Sequence, residues 1–237
     1  MTNRMEGPPA RAPGAQLSTA VLCVWNDIDP EIEGEYEGWY QWDHLRDRVD
    51  VPGFRSCRRY LRVAGEGRRY FTFSDLDSPE VTNAPTYLER LRNFSDWTRR
   101  IMPHFRRAIR MPANVTVERG DGTGGFLAAV LYEQAAEERR TAIRRAIDAA
   151  LGEIMQDACV TRVRVFEVNV AAANVHNPEA ALRPDPALTA ELAIVLEGSY
   201  EATVSRHLAT LTALPELASL HRMMQSSVYR LLFSSQG

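Results

Sequence analysis

Residues 39–54, WYQWDHLRDRVDVPGF, predict a helix that stops abruptly before a strand. The helix begins upstream at Asp29-Pro30-Glu31, where an N-cap acceptor precedes proline at the first helical position and an acid near the positive end of the helix dipole. Val51-Pro52-Gly53-Phe54 ends it, because proline restricts the residue before it and glycine turns the chain. We therefore predict one helix from about residue 30 to Val49.

The segments around this helix predict a β-α-β-β-α-β order, the ferredoxin-like split unit. A short apolar run precedes it, and two alternating segments after it form a hairpin across Gly65-Glu66-Gly67. The predicted elements are a strand at Thr19–Trp25, strands at Ser56–Val63 and Arg69–Leu76, a helical segment at about Thr86–Phe105, and a short strand at Arg106–Met111.

The second half of the chain repeats the same order. Its predicted elements are a strand at Gly125–Tyr132, a helix at Ala135–Met155, strands at Thr161–Val170 and Ala190–Leu196, a helix broken near Pro215 at Tyr200–Met224, and a strand at Val228–Phe233. Each unit alone leaves a bare sheet face, and two units bury those faces against each other. We predict an α+β protein of two tandem ferredoxin-like units that form a dimeric-α/β-barrel-type pseudo-dimer.

The predicted domain organisation has four parts. A flexible leader spans residues 1–16, which are rich in Pro, Ala, Gly and Arg and have no apolar core of the kind a signal peptide needs. The first half covers 17–117 and carries the candidate site. A Gly-rich linker covers 118–124, and a second, degenerate half covers 125–237. Whether two such chains pair again as a homodimer stays open.

The charge and hydropathy of the chain argue against nucleic-acid and membrane partners. The net charge of −3 does not attract the chain to nucleic acid or to an anionic membrane. Arginine pairs such as Arg58-Arg59 are balanced by acids and lack a stripe of stacking aromatics, so we interpret them as solvated strand ends and helix faces. No apolar run approaches the roughly 18–20 residues of a transmembrane helix.

The cysteine and lysine content of the chain excludes several kinds of functional site. The three cysteines are odd in number and widely spaced, so we expect reduced thiols, a cytoplasmic location and no zinc site. Cys57 is a candidate nucleophile, with packing as the favoured alternative. The chain has no lysine, which excludes Schiff bases, covalently attached pyridoxal phosphate and a P-loop. No cofactor and no metal are predicted.

An apolar ligand pocket is predicted on the helix of residues 30–49. Tyr40, His44 and Arg48 are spaced i, i+4 and i+8, so they share one face, and Trp39 and Asp43 belong to the neighbouring stripe. Aromatic walls around one titratable group suit a small-molecule site. The alternative is that His44 is a packed histidine and Arg48 a surface partner of an aspartate.

The segment 39–54 resembles a family signature, W-Y-x-x-[DE]-H-[IL]-x-x-R-x-x-V-P-G-F, of the EthD-like and related uncharacterised groups of dimeric α/β-barrel proteins. A shorter echo lies at residues 95–100, SDWTRR, which includes Trp97. The resemblance covers most of the first half, whereas the second half lacks both motifs. It implies one competent pocket per chain, with His44 in the place of the recurring histidine, Asp43 as the acid before it and Arg48 as the following arginine.

The superfamily includes isomerases, lyases, cyclases, haem enzymes and cofactor-free monooxygenases, and the fold alone does not choose among them. We expect a cofactor-independent lyase or isomerase for a small aromatic compound. His44 is the candidate general acid/base, with Asp43 beside it, and Arg48 stabilises developing negative charge. The alternatives are a cofactor-free monooxygenase and a non-catalytic small-molecule binding protein.

Further aromatic side chains complete the predicted site. Besides Trp39 and Tyr40, the candidate substrate-binding residues are Tyr60, Tyr70 and Trp97. The remaining histidines are weaker candidates, although His176 in a proline-rich loop, residues 174–186, could reach the pocket.

Overall fold

The structure is a computed structural model that describes residues 19–133, 137–220 and 222–237. The predicted leader at 1–16, the start of the second-half helix at Ala135 and the histidine at position 221 lie outside the described residues. Among those described, no helix is long and apolar enough to cross a membrane.

The strands of the described chain form one closed antiparallel barrel. They are β1 (Ala20–Ile28), β2 (Phe54–Glu66), β3 (Tyr70–Leu76), β4 (Phe105–Gly120), β5 (Phe126–Tyr132), β6 (Val160–Val168), β7 (Leu192–Gly198) and β8 (Met223–Gln236). Their order around the barrel is β1-β3-β2-β8-β5-β7-β6-β4, and β4 pairs back onto β1. Each half of the chain contributes four neighbouring strands in the same 4-1-3-2 order.

Helices cover the outside of the barrel. They are α1 (Glu33–Trp39), α2 (Leu45–Val49), α3 (Pro85–Arg92), α4 (Asp96–Ile101), α5 (Glu137–Ile154), α6 (Val170–Ala173), α7 (Glu201–Thr212) and α8 (Pro215–Ala218). A π-helical turn at Tyr40–His44 joins α1 to α2, and 3₁₀ turns lie at Pro30–Ile32, Pro79–Asn83, Met102–His104 and Pro178–Leu182.

Several elements differ in length from the prediction. The single helix expected at 86–105 is divided into α3, α4 and a 3₁₀ turn, and Ser95 caps α4 by accepting a hydrogen bond from the Thr98 backbone N–H at 3.0 Å. β4 is much longer than the expected strand at 106–111, because it pairs with both β1 and β6. It takes in 118–120, so that the linker expected at 118–124 is reduced to a turn. β8 likewise begins at Met223, where a helix was expected.

Three apolar cores follow from the alternation of side chains along the strands. One core fills the barrel and includes Trp25, Phe71 and Phe73, whose rings stack. A second lies between the first-half helices and the sheet, and a third lies between α5, α7 and the second-half sheet. Both faces of the sheet are therefore buried, which a half-exposed ferredoxin-like sheet alone would not achieve.

The interpretation of Arg58-Arg59 as a solvated strand end is wrong. Each of these two arginines is only 2% exposed. Arg58 points into the barrel and its guanidinium lies 4.3 Å from the ring centroid of Phe73, whereas Arg59 points toward the helices and pairs with Glu37. Because the barrel is closed and its outer face is covered, neighbouring residues of β2 are buried on opposite sides.

A buried cluster of four charged side chains, the barrel ion cluster, crosses the interior. Arg58 and Asp75 come from the first half, and Arg164 and Glu197 come from the second. Arg164 donates to Asp75 at 2.6 Å and to Glu197 at 3.1 Å. Arg58 donates to Asp75 and, at 3.2 Å, to Glu197. The two arginines hold the pKa of Asp75 well below its usual value despite burial.

Removing one charge from the barrel ion cluster should destabilise the whole fold. We expect Asp75→Asn to lower the free energy of unfolding by about 3–5 kcal/mol, because it leaves a buried guanidinium charge uncompensated. Urea denaturation followed by circular dichroism measures this. The matched control is Asp77→Asn, since Asp77 pairs with Arg55 in an exposed position and should contribute less than about 1 kcal/mol. Equal losses in the two variants would contradict a structural role for the cluster.

Candidate functional site

The π-helical turn at Tyr40–His44 shapes the candidate site. The Leu45 N–H donates to the Tyr40 carbonyl five residues earlier, which widens the helix by one residue. Such turns occur frequently at functional sites. Despite the irregular turn, Tyr40, His44 and Arg48 all line one cavity, as their shared helical face predicted.

The cavity lies between this helix, the outer face of β1 and a turn from the second half. It is small, with about 40 Å³ of open space, room for only a few water molecules. Its apolar walls are Leu22, Val24, Tyr87, Met102 and Phe105. Its polar lining residues are Tyr40, His44, Arg48, Arg110, Asn177, Glu179 and Arg183. A ligand larger than water therefore has to displace part of the lining.

His44 is held by aromatic rings rather than by hydrogen bonds. Its imidazole lies 4.2 Å from the Trp39 ring centroid and 5.2 Å from that of Tyr40. Within the described residues, no protein group hydrogen-bonds its ring nitrogens. Burial, together with the guanidinium groups of Arg48 and Arg183, lowers the pKa of His44 well below its usual value. The imidazole is therefore neutral near pH 7.

Arg48 joins the first-half helix to the second half of the chain. Its guanidinium donates to Asp47 at 2.7 Å and to Glu179, and both Arg48 and Glu179 are buried. Asn177 caps the turn that carries Glu179, accepting a hydrogen bond from the Glu179 backbone N–H at 3.0 Å. The pairing with Asp47 agrees with one part of the alternative interpretation, but Arg48 is not on the surface.

Arg183 lies at the end of the same turn and has unused hydrogen-bond donors. Its guanidinium is 5.4 Å from the Phe105 ring centroid. The Nε and Nη1 atoms are buried and have no hydrogen-bond partner among the described residues. Burial lowers the pKa of Arg183, although an arginine remains charged at neutral pH.

Tyr40 brings a phenol to the cavity, and Arg59 lies behind it. The Arg59 guanidinium is 4.5 Å from the ring centroids of both Tyr40 and Tyr70 and 4.7 Å from that of Tyr36. Burial raises the pKa of Tyr40, so the hydroxyl stays protonated and can serve as a hydrogen-bond donor.

Three of the predicted site residues support the helix from outside the cavity. Asp43 accepts a hydrogen bond at 2.5 Å from Ser95, which caps α4, so the structure does not bring it beside the imidazole cavity. Trp39 is buried, donates from Nε1 to the Thr98 hydroxyl at 3.0 Å, and packs on His44. Trp97 packs beside Gly38, on the α1 side that faces α4.

Tyr60 and Tyr70 also lie away from the cavity. Tyr60 points into the barrel, where its hydroxyl donates to Glu197 at 3.4 Å. Tyr70 packs against Tyr36 and donates to Glu33. The register of β2 with β3 determines where these two side chains point. Tyr60 points into the barrel, and Tyr70 points toward α1.

Sequence reasoning missed the polar residues that the second half supplies. The proline-rich loop at 174–186 does reach the cavity, but through Asn177, Glu179 and Arg183, whereas His176 is exposed. Asn177 before Pro178 was the available signal, because Asn followed by Pro is typical of a capped helical turn. Spacing alone could not show which half that turn would contact.

The cysteines and acids offer no second reactive centre in the described chain. Cys57 is buried beside Ser74, with 2.9 Å between Sγ and Oγ, and burial raises the pKa of its thiol to about 11. It is therefore a thiol at neutral pH and a packing residue. Within residues 19–133, 137–220 and 222–237, no group of three or more His, Cys, Asp or Glu side chains is arranged to hold a metal ion.

Solved structures with a similar fold have low sequence identity. An anthrone oxidase-like protein is 10% identical, with a TM-score of 0.64, and the match covers 92% of each chain. A candidate monooxygenase from Fusobacterium nucleatum is 7% identical, with a TM-score of 0.55, covering 92% of this chain and 95% of its own. A haem-binding protein from Thermus thermophilus is 9% identical, with a TM-score of 0.51, covering 91% of this chain and 92% of its own.

These matches establish the dimeric α+β-barrel fold that the resemblance implied. No family model matches this chain, and no curated protein does. The EthD-like assignment therefore stays a prediction. The prediction of a lyase or isomerase is wrong by this comparison, because the matched structures are named as oxidoreductases and as a haem-binding protein. They favour the monooxygenase alternative.

The described residues do not fit a haem. A haem needs an axial ligand beside an open cavity. His104 bonds Asp29 and His207 bonds Asp157, each at 3.0 Å, and His176 is exposed. His44 faces a space far smaller than a porphyrin. Apolar, mostly aliphatic side chains fill the space between the second-half sheet and its helices.

The lowered pKa of His44 predicts a pH dependence of stability. Above about pH 6.5 the imidazole is neutral in both the folded and unfolded states and adds no pH dependence. As the pH falls below that value, the unfolded state binds the proton first, so stability is lost until the lower folded-state pKa is passed. We expect the unfolding free energy of the wild type to fall more steeply than that of His44→Gln as the pH is lowered through this range.

Urea denaturation at several values from about pH 5 to pH 8 measures the difference. The control is His176→Gln, which changes an exposed histidine and should parallel the wild type. A wild-type profile that stayed parallel to His44→Gln throughout would show that the histidine is not held in its neutral form.

Proposed function

We propose that this chain is a cofactor-independent monooxygenase for a small aromatic compound. The observation that carries the proposal is the neutral imidazole of His44, which has no hydrogen-bond partner among the described residues and faces a small cavity with aromatic rings in its wall. An enclosed general base is the one group such a reaction requires of the protein, provided that the substrate supplies the electrons.

The reaction begins with proton transfer from an activated methylene or phenol of the substrate to His44. The resulting anion gives one electron to O₂, and the substrate radical and superoxide combine to form a peroxide. The protonated His44 returns its proton to the peroxide. Loss of the remaining C–H proton with heterolysis of the O–O bond then releases water and leaves a carbonyl. For a methylene compound the balance is RCH₂R′ + O₂ → RC(=O)R′ + H₂O. One oxygen atom enters the product, the other leaves as water, and the substrate is the reductant.

Neighbouring side chains suit this sequence. The protonated phenol of Tyr40 can donate a hydrogen bond to the anionic intermediate, and Arg48 adds positive charge on the same helical face. Because the cavity has room for only a few water molecules, little water would remain beside a bound anion or peroxide, which strengthens these interactions. The names of the anthrone oxidase-like protein and the monooxygenase of the same fold support this reaction class and an aromatic substrate.

We also infer that the barrel is a fused pseudo-dimer of two ferredoxin-like units. The repeated 4-1-3-2 strand order supports this inference. So does the register of the hairpins. Asp75 is opposite Ser56, two residues before Arg58, and Glu197 is opposite Arg162, two residues before Arg164. The barrel ion cluster is thus built from matching positions, while the proposed site uses one half's helix.

Oxygen dependence tests the proposal directly. We expect turnover of anthrone or a related hydroxylated aromatic in air and none under argon, with one ¹⁸O atom from ¹⁸O₂ in the product by mass spectrometry. The control is the same incubation with heat-denatured protein, which measures autoxidation. Conversion without oxygen would contradict the monooxygenase, and ligand retained unchanged in both conditions would indicate a binding protein.

His44→Gln tests the general base. We expect oxygen-dependent turnover to fall by about 10²–10⁴-fold, the range typical of losing an acid/base group, with the circular dichroism spectrum unchanged. His207→Gln is the matched control, because His207 bonds Asp157 outside the cavity. Because the pKa of His44 is lowered, wild-type kcat/KM should stay level through pH 6.5 and decline only at lower pH. Near-full activity of His44→Gln would exclude this mechanism.

A further inference from the structure

Arg183 holds unused hydrogen-bonding capacity in the wall of the cavity. The Nε and Nη1 atoms of its guanidinium are buried without partners among the described residues, while the guanidinium lies against the Phe105 ring. Buried donors without a partner are destabilising, commonly by about 1–3 kcal/mol each, so an acceptor that entered the cavity would relieve this cost.

The charge of the cavity lining indicates the sign of that acceptor. Arg48, Arg110 and Arg183 line the cavity, with Glu179 as the one carboxylate among its described lining residues. Glu179 is already bonded to Arg48. The lining therefore keeps a positive excess from Arg110 and Arg183, and the neutral His44 does nothing to offset it. An anion entering this cavity would gain charge-assisted hydrogen bonds in a place that is largely shielded from water.

We propose that Arg183 recognises a carboxylate on the substrate, so that the chain acts on an aromatic acid. A planar carboxylate matches the fork of a guanidinium, and aromatic rings of Tyr87 and Phe105 line the same space as His44. The carboxylate at Arg183 would orient the ring of the acid toward the base. This inference rests on the proposed function for turnover, but the recognition step can be measured without any reaction.

The competing explanation is that Arg183 is a packing residue. A guanidinium over an aromatic ring is stabilising on its own, by about 0.5–2 kcal/mol. That role would make Arg183 important for stability and indifferent to the charge of a ligand. Comparing an acid with its uncharged amide separates the two roles, because the two molecules have nearly the same shape.

Isothermal titration calorimetry with benzoate and benzamide tests the proposal on the full chain. We expect the wild type to prefer benzoate, and Arg183→Met to lose roughly 10- to 100-fold in benzoate affinity with little change toward benzamide. Arg183→Lys keeps the charge but not the fork, and should recover part of the preference. Arg145→Met, which removes an exposed arginine outside the cavity, is the matched control and should bind like the wild type.

The outcomes separate this inference from the proposed function. If benzoate preference is equal in the wild type and in folded Arg183→Met, carboxylate recognition by Arg183 is overturned, whatever the oxygen assay shows. A wild type that binds neither compound also overturns it. If the preference disappears in Arg183→Met while the wild type shows no oxygen-dependent turnover, the inference about recognition stands and the monooxygenase proposal fails.

Discussion

The barrel ion cluster is the constraint on which the rest of the structure depends. Two arginines and two acids share the interior, and each half of the chain supplies one of each: Arg58 and Asp75, Arg164 and Glu197. Charges in an apolar interior are tolerated only when each has a partner in good geometry. Because every arginine in the cluster bonds an acid of its own half and one of the other half, the halves are held in one relative position. A shift of one half against the other would leave a charge unpaired.

That fixed position allows a site made from both halves. The helix of the first half supplies Tyr40, His44 and Arg48, and the 3₁₀ turn of the second half supplies Glu179 and Arg183. The Arg48–Glu179 pair is the direct link between them. The two halves are therefore not equivalent around the cavity: both contribute alike to the barrel, but the first half supplies the aromatic helix and the second half supplies the turn that completes the lining.

The sequence predicted the local features well and the long-range ones poorly. The i, i+4, i+8 spacing of Tyr40, His44 and Arg48 was sufficient to place them on one cavity, because helix geometry is local.

The burial of Arg58 could not be predicted in this way, since it depends on Glu197, which is 139 residues away. Arg183 was missed for the same reason. Tyr60 and Tyr70 alternate as strand residues should, but only barrel closure determines that one faces an ion cluster and the other a helix.

The cavity is smaller than the proposed aromatic substrate, and the turn at Pro178–Leu182 accounts for this difference. With about 40 Å³ of space, an aromatic ring can enter only if part of the lining moves, and we expect this turn, which brings Glu179 and Arg183 to the cavity, to be that part. Moving it separates Glu179 from Arg48, which would leave a buried guanidinium without its partner, at a cost of several kcal/mol. A ligand that carries its own carboxylate offsets that loss, whereas a neutral aromatic does not. Glu179 and Arg183 lie on one short turn. The Arg48–Glu179 ion pair of the free site and the proposed contact between Arg183 and the ligand carboxylate therefore depend on the same structural element.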